Sequence, residues 1–127
     1  MNAEATARNL ITEYNKGLPG WVEACHAENT EWIELPFLGG PGRSGGRKEL
    51  RAAADLQVVN FPDRRMQLLN VVADGGQAAL EVEWTGTAAK DTAWAKQGET
   101  LTLRAVLMLT VKDGRVVKEV DYVIPMP

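Results

Sequence analysis

A chain of 127 residues, 45% hydrophobic and 24% charged, can bury one substantial core, and its ordinary balance excludes a fibrous or disordered protein. Its formal net charge of −3 gives no long-range pull toward phosphates, so a nucleic-acid partner is not expected. Cys25 is the sole cysteine, which rules out an internal disulfide and fits a cytoplasmic setting.

Ala3, Ala7, Leu10, Ile11 and Tyr14 recur at steps of three and four and predict an opening helix, ended by Gly17, Pro19 and Gly20. This segment lacks an unbroken apolar run, so neither a signal peptide nor a membrane span is expected. A short helix is predicted from Trp21 to about Ala27. Thr30 to Leu35 alternates and carries an aromatic residue, which predicts a strand stopped by Pro36. Gly39 to Gly46 reads as a mobile loop, and a third helix follows from Arg47 to Gln57 with Leu50, Ala53 and Ala54 inward.

From Phe61 onward the period changes to that of strands. Asp63 to Ala73 is the first, closed by the turn Asp74-Gly75-Gly76, and Ala78 to Thr85 is the second. After a longer loop, Ala88 to Glu99, comes the most regular strand. It sets Leu101, Leu103, Ala105, Leu107, Leu109 and Val111 on one face, and Thr102, Arg104, Val106, Met108 and Thr110 on the other. A hairpin turn at Lys112-Asp113-Gly114-Arg115 leads into a last strand, Val116 to Ile124. With no repeat and no linker, residues 1–127 are expected to form one α+β domain: an antiparallel sheet with the helices gathered on one side.

Several segments in this order carry a resemblance. They are Tyr14-Asn15-Lys16-Gly17, Glu34-Leu35-Pro36, Gly45-Gly46-Arg47-Lys48-Glu49-Leu50, Asn60-Phe61-Pro62-Asp63, and Gly114-Arg115-Val116 leading to Val120-Asp121-Tyr122. The chain resembles the nuclear transport factor 2-like superfamily, and within it the SnoaL-like and ketosteroid-isomerase-like proteins. The resemblance spans nearly the whole chain. It implies a cone-shaped α+β fold, with a strongly curved antiparallel sheet and three N-terminal helices on its concave face enclosing a pocket. It also implies a homodimer and an apolar small-molecule substrate, with no cofactor and no membrane. Members isomerise, cyclise, dehydrate or hydrate such molecules, and some only bind them.

Glu34 and Trp32 project from the same strand face, and a carboxylate beside an indole in a dry pocket suits a general base. The alternative is a solvated Glu34 beside a buried Ile33 and Leu35. Asp121 interrupts an apolar final strand; it is a second active-site candidate, or an edge residue paired with Lys118 or Arg104. Tyr14 ends an apolar stripe and resembles the oxyanion-binding phenol of ketosteroid-isomerase-like sites, or is a plain core residue. The second donor which that pattern expects on the strand Leu101 to Val111 is missing. Arg104 is a candidate substrate-orienting cation, or a partner for Glu83, Glu119 or Asp121. The epoxide-hydrolase-like pattern expects an Arg-x-Asp pair near Ala78 to Thr85, where Glu81 and Glu83 stand instead. Trp84, Trp94, Met66 and Met108 would supply apolar pocket wall or core. His26 and Cys25 read as packing or surface groups, and no metal site is expected from one histidine among scattered carboxylates. The glycines of the Gly39 to Gly46 loop lack the Gly-Lys-Ser/Thr ending of a phosphate loop and read as a lid or a plain surface loop.

These features lead to an expected cofactor-independent isomerase, cyclase or other lyase working by acid/base chemistry on a carbonyl-bearing substrate. A non-catalytic binding or dimerisation module of the same fold is the alternative, and water addition to an epoxide ranks lower.

Overall fold

The computed structural model describes residues 1–126. Three helices, α1 (Ala3–Tyr14), α2 (Trp21–Cys25) and α3 (Arg47–Asn60), accompany six strands: β1 (His26–Glu34), β2 (Arg43–Gly45), β3 (Arg65–Asp74), β4 (Gln77–Thr87), β5 (Thr100–Lys112) and β6 (Arg115–Pro125). The strands form one curved, unclosed sheet in the order β2-β1-β6-β5-β4-β3.

Side-chain contacts mark both ends of α1 and the start of α3. The Asn2 side chain accepts from the Ala5 N–H at 2.8 Å and caps α1. At its other end Asn15 clamps β3: Nδ2 donates to the Met66 carbonyl at 2.8 Å, and Oδ1 accepts the Met66 N–H at 2.9 Å. In α3 the Glu49 carboxylate reaches back to the Gly46 N–H at 2.8 Å, half of a capping box. Ala7, Leu10, Ile11 and Tyr14 pack α1 onto Leu80 and Val82 of β4 and Leu107 and Leu109 of β5. Each such leucine, fully removed from water, stabilises the fold by about 1.5–3 kcal/mol.

The sheet differs from the sequence expectation in three ways. First, α2 stops at Cys25, and His26 and Ala27 already belong to β1, because β1 finds a partner in β6 (His26 opposite Val116). Second, that pairing is parallel, so the sheet is not wholly antiparallel; β1 lies beside the last strand of the chain. Third, part of the glycine-rich loop is a strand: Arg43–Gly45 pairs antiparallel with Trp32–Glu34. Gly42 makes that approach possible. It sits at φ +79°, and a β-carbon there would meet the Glu34 carbonyl oxygen at 2.4 Å.

No helix among the described residues is long and apolar enough to cross a membrane.

Candidate active site

Between the helices and the covered sheet face lies a cavity of about 100 Å³. Alternation along β4 and β5 presents Val82, Trp84, Leu103, Ala105 and Leu107 to it, while α3 contributes Leu50, Ala53, Ala54 and Gln57. The wall is mostly apolar. Its polar groups are Glu34, Arg43, Gln57, Glu119, Asp121 and the Tyr14 hydroxyl.

Of the residues singled out in the sequence, Glu34, Asp121, Tyr14, Trp32, Trp84 and Met66 share this cavity, and Trp94 lies at its edge with Phe37. Arg104 and Met108 do not. They project from the opposite face of β5, where Arg104 Nε contacts Glu83 Oε2 at 3.1 Å. Neither can touch a ligand in the cavity, because strand alternation that directs Leu103, Ala105 and Leu107 inward directs 104 and 108 outward. Their expected binding roles are therefore withdrawn.

Asp121 is one of two deeply buried carboxyls in the cavity wall, the other being Glu119. Only 8% exposed, Asp121 receives the Trp32 indole N–H on Oδ2 at 3.0 Å. Oδ1 has no N–H or hydroxyl partner among the described residues. Glu119, two residues earlier on the same strand face, lies beside it. Two carboxyls in contact at a dry site cannot both ionise at ordinary cost, so burial first, and the neighbouring Glu119 second, push Asp121 well above the usual carboxylate range. Burial raises Glu119 as well.

Behind Glu119 is His26, fully buried. Its Nδ1 lies 3.1 Å from the Val22 carbonyl and its Nε2 lies 2.8 Å from Glu119 Oε1. A carbonyl only accepts, so Nδ1 carries a proton and Nε2 of the neutral ring is an acceptor. Burial lowers the His26 pKa to about 4, which keeps the ring neutral, and Glu119 must then hold the proton it donates to Nε2. The site thus contains a buried row, His26–Glu119–Asp121–Trp32, that stores at least one proton. His26 is part of this row rather than a mere packing group.

Glu34 is placed differently from its expected role. Both its oxygens are taken by Arg43, Oε1 by Nε at 2.9 Å and Oε2 by Nη2 at 3.0 Å. The Arg43 guanidinium also lies between two indoles, 5.4 Å from the Trp32 ring centre and 5.3 Å from that of Trp94. Trp94 in turn stacks on Phe37 at 5.7 Å. These contacts leave Glu34 paired with Arg43 in the cavity wall.

Tyr14 is buried and its hydroxyl is fully engaged: it accepts from Trp84 Nε1 at 2.8 Å and donates to Gln57 Oε1. Its proton is therefore engaged within the protein, and the direct oxyanion contact expected of it is not available. Burial holds its pKa above that of a free phenol. Among the described residues no cluster of three His, Cys, Asp or Glu side chains could hold a metal ion.

Glu119, His26, Arg43 and Gln57 are site groups that the sequence pattern alone does not single out. Glu119 carried a signal, being two residues from Asp121 on a strand, and so did Gln57, seven residues from Leu50 on a helix. Arg43 lay in a glycine-rich stretch with no period to place it.

A curved sheet over three helices, with acidic groups inside an apolar hollow, defines the class of small cone-shaped α+β proteins. The family model for the SnoaL-like domain matches residues 7–119, and the chain belongs to that family, within the nuclear transport factor 2-like superfamily. No curated protein matches the chain significantly in sequence. Among solved structures it is similar to AclR, a proposed hydroxylase from Streptomyces galilaeus (15% identity, TM-score 0.82, covering 98% of this chain and 79% of that one). It is also similar to IdmH, a proposed polyketide cyclase from Streptomyces antibioticus (18% identity, TM-score 0.78, 94% and 90% covered). A SnoaL-like polyketide cyclase from Agrobacterium tumefaciens matches as well (12% identity, TM-score 0.77, 98% and 92% covered).

Proposed function

We propose that the protein is a cofactor-independent enzyme of the isomerase, cyclase or lyase kind, in which Asp121 removes a proton from carbon beside a carbonyl group of an apolar small molecule. One observation carries this reading: a buried carboxyl with one oxygen fixed by an indole and the other without a donor, set in the wall of an apolar cavity. Its raised pKa brings its proton affinity closer to that of a carbon acid, which improves a general base working near neutrality. The C–H bond breaks as the Asp121 O–H bond forms, and the electron pair moves into the carbonyl to give an enolate. Return of the proton to the same or another carbon completes isomerisation; attack of the enolate carbon on a second carbonyl, whose new alkoxide takes the proton back from Asp121, completes ring closure. Glu119 and His26 are positioning residues that hold Asp121 and its proton inventory. The proposed polyketide cyclases of the same fold support this substrate class.

Deuterium uptake tests the reading. Incubated in heavy water with cyclohexanone, the wild-type protein is expected to place deuterium on the carbon next to the carbonyl. Asp121→Asn should slow that exchange by about 100-fold or more, the usual contribution of a general base. Exchange that is absent in the wild type, or equal in both proteins, would leave a binding module as the surviving reading.

A further inference from the structure

Gln57 is a polar residue in the otherwise apolar inward stripe of α3, in line with Leu50, Ala53, Ala54 and, just beyond the helix, Phe61. Its amide is not free to turn. Arg64 Nε, which can only donate, lies 3.1 Å from Gln57 Oε1. The Tyr14 hydroxyl contacts the same oxygen. Trp84 Nε1 is likewise only a donor, and because it points at the Tyr14 oxygen, the phenolic proton must go to Gln57. Two donors, Arg64 Nε and the Tyr14 hydroxyl, therefore occupy Oε1, and Trp84 fixes the direction of the second. Turning the amide over would set an NH₂ group against both Arg64 and Tyr14. Nε2 is left with two N–H groups and no protein partner among the described residues.

Arg64 adds charge behind this amide. It is 3% exposed, its guanidinium carbon lies 4.3 Å from the Tyr14 ring centre, and Nη1 and Nη2 have no partner among the described residues. A cation pulling on Oε1 polarises the amide and strengthens its N–H groups as donors. We infer that Gln57 Nε2 donates to the carbonyl oxygen of an apolar ketone in the cavity, and that Tyr14, Trp84 and Arg64 are positioning residues that hold the amide in that sense. This assignment rests on the proton-abstraction reading and names the oxygen end of the same substrate. As Asp121 takes the proton, negative charge gathers on that oxygen, so the contact tightens toward the transition state. No phenol needs to reach the substrate.

Gln57→Glu keeps the acceptor that Tyr14 and Arg64 require and removes the N–H donors, so its melting temperature serves as a folding control. Cyclohexanone and methylenecyclohexane share size and shape, but only the ketone accepts a hydrogen bond. In the variant the ketone is expected to bind about ten-fold more weakly, equivalent to about 1.4 kcal/mol, while the hydrocarbon stays within about two-fold. The carbonyl ¹³C resonance of cyclohexanone bound to the wild type should lie downfield of its value in an aprotic solvent, and should return toward that value in the variant. Equal changes for both probes, no change for either, or an aprotic carbonyl shift in the wild type would each overturn the assignment. If those results appear while Asp121→Asn still abolishes deuterium exchange, the oxygen donor is wrong and the base is right. If Gln57→Glu behaves as expected while Asp121→Asn still exchanges, the donor stands and the base lies elsewhere. Failure of both probes to bind at millimolar concentration overturns both.

Discussion

Glu119 and Asp121 stand on one face of β6 with His26 behind the first and the Trp32 indole against the second. The folded-state pKa values of these groups move in opposite directions, which fixes how stability responds to pH. His26 is depressed to about 4 from an ordinary 6.5, so its contribution is lost as pH falls through that window. The two carboxyls are raised, so theirs is complete below the ordinary carboxylate pKa and is lost as pH rises through the folded values. Below about pH 6.5 the two effects oppose each other, because unfolded His26 binds a proton that the folded ring does not, while the folded carboxyls keep protons that the unfolded ones lose. Above about pH 6.5 only the carboxyl contribution is left. The unfolding free energy measured in urea is expected to fall there by about 1.4 kcal/mol per pH unit for each proton retained, until the folded pKa is passed. Asp121→Asn should flatten the slope. A wild-type profile with no falling limb above the ordinary carboxylate range would contradict the raised carboxyls. At this scale alternation was a good guide: Trp32 and Glu34 do share a face, and Asp121 does point inward. It also separated Arg104 and Met108 from Leu103 and Leu107. What alternation cannot show is which face the helices cover, and that is where the two outward residues were misplaced.

Among the elements, one side chain at the end of α1 bonds directly to the backbone of β3. Asn15 satisfies both the N–H and the carbonyl of Met66, which stand outside the β3–β4 ladder on that edge. Asn15→Ala is expected to cost about 1–3 kcal/mol in urea denaturation, since two backbone groups lose their partner. Asn15→Asp retains the acceptor for the Met66 N–H but not the donor, so its loss should be the smaller one. An alanine variant as stable as wild type would show that water replaces the side chain at no cost. The helices and the β3 to β6 hairpins were legible because their periods and turns are local. The α2–β1 boundary was not. Cys25-His26-Ala27 is compatible with a helix end, and only the distant Val116 to Asp121 segment turns His26 into the first residue of a strand. The short strand β2 was hidden for the same reason: its pairing with Trp32–Glu34 is set by tertiary contact, and glycines mask it in the sequence.

For the molecule as a whole, the sheet has two unlike faces. One is filled by helices and cavity. The other is open and carries Val72, Val106, Tyr122 and Ile124, exposed by 62%, 36%, 46% and 63%, with Val106 directly opposite Tyr122 across the β5–β6 pairing. Such a patch on an open sheet face suits contact with a second copy of the chain. We expect sedimentation velocity at micromolar concentration to show a dimer, and Tyr122→Glu to shift it toward monomer by placing a charge at the centre of the patch. A monomer in the wild type would leave this face without a partner of its own kind.

The parallel pairing of β1 with β6 has a further consequence. Trp32 and Asp121 are 89 residues apart in sequence, and His26 and Glu119 are 93 apart. On the ribosome β1 would emerge with its intended neighbour still unmade, and β5 would present a bare edge until β6 follows. Both gaps are filled by the same late segment, β6, which slots between them. Translation of that segment thus completes the barrier against aggregation and the proton-holding row in one event, so premature termination there would remove shelter and chemistry together.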